Sequence, residues 1–289
     1  MQQHKWWQDT VFYQIYPRSF CDSNGDGVGD IRGIVEKLDY IKWLGAGAIW
    51  LSPVYDSPNR DMGYDIRDYK KILREYGTMQ DFDLLLEEMH KRGLRLVMDM
   101  VVNHTSDEHP WFLASRSSRN SPYRDYYYWR PGKGDNPPNN WSSFFTPCAW
   151  KYDTITKEWY LHCFGENQPD LNWENPAVRE EIYRMINWWL DRGVDGIRID
   201  VVSLFAKNID FPNATLRTPN YDGYVFPIEH IAFQPKLPGY LRELNARCLA
   251  GKDRVSIGEA TFVTTGNANT IVGEDMLDMV FQFELMELG

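Results

Sequence analysis

Three carboxylates interrupt stretches that are otherwise apolar: Asp99 in RLVMDMVV, Asp200 in GIRIDV and Glu259 in VSIGE. Removing a lone carboxylate from water is costly, so such residues are either paired or put to use. Arg198 precedes Asp200 by two residues, and strand alternation sets both side chains on one face. An arginine that close keeps the carboxylate ionised and orients it, as a nucleophile requires. Glu259 follows Gly258 at the end of another apolar run, where a semi-apolar pocket would keep it protonated for use as a general acid. One ionised and one protonated carboxyl facing a common pocket is the equipment of glycoside hydrolysis. The same residues could instead form a buried structural ion pair, because ion-pair networks also perturb carboxylates.

Other residues extend this reading. Aromatic residues make up 15% of the chain, with 12 Trp among them. Most fill core and interfaces, and Tyr64 in Met62-Gly63-Tyr64-Asp65 is the ring placed in the pocket. His104 is expected there as a hydrogen-bond donor rather than a metal ligand, since no second His or Cys stands near it. In DSNGDGVGD, the side chains of Asp22, Asn24, Asp26 and Asp30 and the carbonyl of Val28 follow the alternate-residue pattern of a calcium loop. The closing Glu of an EF-hand is missing, so a structural Ca²⁺ held by a loop is expected, with a plain Asx/Gly turn as the alternative. Neither GxGxxG nor GxxxxGK[ST] occurs, and no organic cofactor is expected.

The elements that must carry these groups repeat four times as a helix-period segment, a glycine and a short apolar run. Ile34, Leu38, Ile41 and Leu44 lead through Gly45 to residues 48–51, and Leu84, Leu85 and Met89 lead through Gly93 to residues 95–102. Asn175 as N-cap and Pro176 open a helix carrying Val178, Ile182, Met185 and Trp189, which ends at Gly193 before residues 196–201. Leu241, Leu244 and Cys248 lead through Gly251 to residues 255–259, and strands at 11–16 and 279–283 bring the number to six. Alternation of this kind means a parallel α/β architecture. The missing phosphate-binding turn, and reactive groups at successive strand ends (His104, Asp200, Glu259), favour a (β/α)8 TIM barrel over an open doubly wound sheet. The repeat lapses between Thr105 and Asn172, which predicts an inserted subdomain at 105–172 between barrel parts at 1–104 and 173–289.

Composition sets the outer bounds. The 289 residues carry a net charge of −10 without a Lys/Arg run, which argues against nucleic acid or an anionic membrane and for a small neutral ligand. The N-terminus MQQHKWWQDT lacks a signal-peptide core, and no apolar run approaches the ~18 residues of a membrane span. With Cys21, Cys148, Cys163 and Cys248 far apart, a soluble cytoplasmic protein with reduced thiols is expected. Nothing in the sequence sets an oligomeric state.

Taken together, these residues resemble the α-amylase family of glycoside hydrolases, and more closely its oligo-1,6-glucosidase and α-glucosidase branch. VFYQIYPRSF, DSNGDGVGDIRGI, WLSPVYDSP, GYDIRDY, DMVVNHTSDEH, QPDLNW, GIRIDV and SIGEA stand in the family's order and at its spacings. The resemblance implies Asp200 as nucleophile, Glu259 as acid/base and Arg198 as the residue orienting Asp200. It implies that Asp61, Tyr64, Asp99 and His104 grip the glucose at the non-reducing end of an oligosaccharide. QPDLN at 168–172 and Val201 after the nucleophile mark the type that accepts α-1,6 linkages, and the calcium loop belongs to the same branch. The implied function is a retaining, exo-acting α-glucosidase acting on isomalto-oligosaccharides. Trehalose-6-phosphate hydrolase, sucrose isomerase and a non-catalytic sugar-binding protein are the alternatives.

In the family, a seventh strand brings a third essential carboxylate, an eighth closes the barrel and a β-sandwich follows. This chain stops at Gly289, after the sixth strand. The expectation is therefore a barrel truncated after about six strands, with unpaired edges. Loss of one transition-state contact worth ~3–4 kcal/mol would alone cost roughly a hundred- to thousandfold in rate, so these residues by themselves are expected to be inactive.

Overall fold

In the computed structural model, which describes residues 4–287, six parallel strands lie side by side in chain order. They are β1 (Phe12–Ile15), β2 (Ala48–Leu51), β3 (Arg95–Met100), β4 (Gly196–Ile199), β5 (Val255–Gly258) and β6 (Met279–Val280). A doubly wound sheet reverses its strand order at a switch point. This one never does, so its topology is that of the first six units of a barrel. Among the described residues, β1 and β6 are edge strands.

The connections follow the apolar periodicity with local departures. The first helical segment is broken at Lys37 into α1 (Ile31–Glu36) and α2 (Leu38–Trp43). The second is α3 (Met79–Lys91), opened by a capping box in which Thr78 accepts from the Asp81 amide and Asp81 accepts from Thr78. Asn175 caps α5 (Pro176–Asp191) by accepting from the Ala177 amide, and α6 (Leu237–Leu244) runs on into a π turn at Asn245–Leu249. Before α5, residues 105–172 hold α4 (Pro110–Ser117) and a three-stranded antiparallel sheet centred on Glu158–Leu161, between Trp129–Arg130 and Trp150–Asp153. The chain after β4 returns to this region. Phe211 and Val225 share a hydrophobic cluster with Trp141, Trp150 and Leu161.

Two features of the sheet position the site. Gly196 opens β4 where a Cβ would stand 2.3 Å from Val255 Cγ1, so only glycine lets β5 pack this closely. The register then sets Asp99 of β3 and Ile257 of β5 on either side of Arg198. The ladder also stops earlier than the apolar runs: β3 ends at Met100 and β4 at Ile199, which frees Asp200 and Val201 to turn over the rim. An antiparallel pair, Tyr55–Asp56 with Asp68–Ile72, arises where the sequence shows no alternation and flanks the segment bearing Asp61 and Tyr64. Among the described residues, no helix is long and apolar enough to cross a membrane.

Candidate active site

The ends of β3, β4 and β5 converge on one guanidinium. Arg198 Nη1 donates to Asp99 Oδ1 and to Asp200 Oδ1, each at 2.7 Å, and Nη2 donates to Glu259 Oε2. The Asp99 side chain is fully buried, those of Arg198 and Asp200 nearly so, and that of Glu259 is 23% exposed. One positive charge cannot compensate three negative ones in such a place, so a proton must be retained. Asp99 is the best supplied with donors, also accepting at Oδ2 from Trp50 Nε1 at 3.1 Å and the Tyr64 hydroxyl at 3.0 Å. Burial pushes the carboxyls of Asp99 and Asp200 up, and Arg198 is the chief opposing influence on both. Burial, followed by the neighbouring Asp200 charge, pushes Glu259 up to about 7. Glu259 is thus a carboxylic acid poised to donate near neutral pH.

Val201 couples the strand ends. Its φ of 38° is left-handed, which is strained for a β-branched residue. The turn leaves its amide 3.4 Å from Glu259 Oε2, and the Val202 amide donates to the Glu259 carbonyl at 2.8 Å. The other predicted pocket residues are joined by hydrogen bonds. His104 Nε2 lies 3.0 Å from the Tyr64 carbonyl, and Gln168 Nε2 donates to Asp61 Oδ2 at 2.7 Å. Burial holds His104 below the usual imidazole range, so it is neutral, and its contacts fix the tautomer. Nε2–H donates to the Tyr64 carbonyl, while Nδ1 accepts from Asn103 Nδ2 at 3.3 Å. Asn103 also donates to Asp170 Oδ2, and Lys207 Nζ donates to Asn103 Oδ1 and pairs with Asp170 at 2.8 Å. Burial alone would raise the Asp170 carboxyl, but the Lys207 ammonium holds it below its ordinary value. Sequence reasoning did not single out Trp50, Asn103, Gln168, Asp170 or Lys207. Gln168 and Asp170 lie within QPDLN, whereas Lys207 is an unremarkable lysine until the fold buries it.

The loop expected to hold calcium stands apart from this cluster. Its oxygens are of the type a hard cation takes. As folded, Asp22 accepts from the amides of Asn24, Gly25 and Gly27, Asn24 from that of Asp26, and Asp26 from that of Val28. Asp30 caps α1 through Gly33 and accepts from Ser23. The amides hold the Asp22 carboxyl below its usual range. Among the described residues, no three His, Cys, Asp or Glu side chains are gathered closely enough to hold a metal ion.

Glu259 generates a stability prediction. Its carboxyl titrates near 7 when folded against an ordinary 4.5, so the native state binds more protons between those values. Stability should therefore fall as pH rises from about 4.5 to about 7 and stay lower above. Glu259→Gln removes that slope. The variant is expected to be more stable than the parent by about 1–3 kcal/mol at pH 8, with a smaller gain at pH 5. Denaturant midpoints at the two pH values check this, and an equal difference at both would contradict it.

A profile of the alpha amylase catalytic domain matches residues 14–289. The oligo-1,6-glucosidases of Bacillus cereus and Parageobacillus thermoglucosidasius are both 54% identical, over 286 and 285 residues. Each alignment covers 98% of this chain and 51% or 50% of the relative, so the chain spans about half the length of these curated relatives. Among solved structures, the isomaltulose synthase of Protaminobacter rubrum matches with a TM-score of 0.92 at 48% identity, over 99% of this chain and 51% of its own. The trehalose-6-phosphate hydrolase of Bacillus licheniformis matches with a TM-score of 0.90 at 44% identity, over 97% of this chain and 50% of its own. The second half of β1, the strands β2 to β6 and the carboxyl cluster at their C-terminal ends lie within the matched span, and by that match the chain belongs to the α-amylase family of glycoside hydrolases.

Proposed function

We propose that this chain carries the glucose-gripping and bond-breaking residues of a retaining, exo-acting α-glucosidase that releases glucose from isomalto-oligosaccharides. The observation that carries the reading is the shared guanidinium, with Asp200 and Glu259 on its two arms and a proton held on Glu259 near neutral pH. Glu259 donates that proton to the glycosidic oxygen while Asp200 Oδ attacks the anomeric carbon, and the aglycone leaves as an alcohol. The resulting glucosyl ester on Asp200 is opened by water, from which Glu259, now a carboxylate, takes a proton. Asp61, Tyr64, Asp99 and His104 bind the glucose hydroxyls, and Gln168 holds Asp61 in place.

The leaving-group side supports a neutral sugar. A cavity of about 690 Å³ beside Glu259 is lined by Arg217, Phe262 and Glu284, with one cationic side chain against two carboxyls. That is a poor phosphate grip, and it favours an oligosaccharide over a phosphorylated disaccharide. Val201, QPDLN and the similarity to the oligo-1,6-glucosidases of Bacillus cereus and Parageobacillus thermoglucosidasius support the α-1,6 linkage. Four free cysteines support a cytoplasmic location. We further propose that the loop at 22–30 takes one structural Ca²⁺ through Asp22, Asn24, Asp26, Asp30 and the Val28 carbonyl, away from the reaction.

Kinetics with two disaccharides test the activity. In a chain that carries these residues and continues to the length of the relatives, isomaltose is expected to show a higher kcat/KM than maltose, with α-glucose released first. Faster turnover of maltose would reassign the linkage, and β-glucose as first product would remove the covalent intermediate. The 289 residues alone should cleave p-nitrophenyl α-glucoside negligibly, because the sheet edges at β1 and β6 are unpaired. Calcium is expected to raise the melting temperature of the parent but not of Asp26→Ala, and equal responses would leave the loop a turn.

A further inference from the structure

A row of rings runs from His104 to the cavity that Glu259 lines. His104 lies 5.1 Å from Phe164, and Phe164 stacks on Phe144 at 4.9 Å with the planes 6° apart. Phe144 meets Phe226 edge-on at 4.7 Å. Phe262 closes the row, 5.9 Å from Phe226 and 6.3 Å from Phe144. It follows Glu259 by three residues, lines the same cavity and is half-buried.

The backbone of Phe262 has a φ of 67°, a left-handed conformation that glycine adopts freely and a bulky side chain does not. The turn is nevertheless well held. The Val263 amide donates to the Ala260 carbonyl at 3.0 Å, Asn267 Nδ2 donates to the Phe262 carbonyl at 3.2 Å, and Asn267 Oδ1 accepts from the Thr264 amide at 2.7 Å. Strain that the surroundings enforce in this way concentrates where a side chain must face a ligand. Here the enforced side chain is a ring, and it shares its cavity with the group that protonates the scissile oxygen.

We propose that Phe262 is the specificity-determining residue on the leaving-group side, its ring forming the platform for the second, uncharged sugar of an α-glucosyl disaccharide. This rests on the reading of the site given above. The leaving sugar is bonded to the oxygen that Glu259 protonates, so it must occupy the cavity on which Glu259 opens. The C–H face of a hexose packs on an aromatic ring, and Arg217 and Glu284 at the cavity wall match its hydroxyls rather than a second charge.

The test compares binding of glucose and isomaltose, by calorimetry or saturation-transfer NMR, to a chain that carries these residues, continues to the length of the relatives and bears Asp200→Asn to prevent turnover. Phe262→Ala and Phe262→Gly are each expected to weaken isomaltose about three- to tenfold and leave glucose unchanged. Phe262→Tyr should restore isomaltose affinity. Phe262→Gly adopts the left-handed turn without strain, and a cooperative melting transition kept in that variant shows that its affinity loss is not unfolding. An isomaltose-to-glucose affinity ratio unchanged in both Ala and Gly variants overturns the proposal while leaving the glucose site intact. Absence of glucose binding to the chain with Phe262 in place overturns the reading of the site itself, and this inference with it.

Discussion

Arg198 presents a planar fork of N–H donors to three carboxyl groups, one from each of three neighbouring strand ends. Almost everything else about the site follows from the need to satisfy that group. Its side chain is nearly buried, so its charge must be matched, and the β3/β4 register places Asp99 beside it while alternation places Asp200 on the same face. Gly196 lets β5 approach closely enough for Glu259 to reach the second arm. With all three carboxyls ionised the cluster would carry a net charge of −2 around one guanidinium, and a proton retained on one of them halves that excess. The surplus appears as the raised Glu259. A buried network of this sort adds little to stability compared with apolar packing, and its value is in fixing which group is acid and which is base.

A second buried pair, Asp170 with Lys207, does comparable work on the side of His104 and Asp61. Through Asn103 it orients His104, whose Nδ1 faces the Asn103 amide while its Nε2 faces the Tyr64 carbonyl. The inserted segment at 105–172 therefore contributes more than a cover, because it supplies Asp170 and Gln168 and, with the residues after β4, the cluster around Trp141 and Phe211. Local strain lies on the same side of the ledger as these ions. Val201 and Phe262 both adopt left-handed backbone, and both lie within three residues of a carboxyl that Arg198 contacts.

Much of this was legible in the sequence because it rests on periodicity and strand alternation. The helix ends at Gly45, Gly93 and Gly193, the cap at Asn175, and the placing of Arg198 and Asp200 on one face need no tertiary information. The sheet order and the meeting of Asp99, Asp200 and Glu259 needed the barrel topology, which strand-end chemistry indicated. Residues whose role depends on burial by distant segments were not legible. Lys207, Asn103 and Phe262 look ordinary in a row of letters, and no short-range pattern announces a left-handed phenylalanine. The hairpin around Tyr55–Asp56 was missed because its strands are too short for alternation to register, and the break at Lys37 because apolar spacing continues across it. In the Asp22–Asp30 loop the oxygens whose spacing suits a cation also accept from backbone amides and cap α1, contacts that the letters alone do not show.

The account turns on the protonation of a single group, and that can be read directly. With the protein ¹³C-labelled at glutamate carboxyls, NMR resonances followed from pH 4 to pH 9, and Glu259→Gln used for assignment, Glu259 should titrate near 7. The midpoint should move down in Asp200→Asn, because the Asp200 charge is second only to burial among the causes that raise it. A Glu259 resonance titrating near the ordinary 4.5, and unmoved by Asp200→Asn, would contradict the division of labour proposed for the two carboxyls.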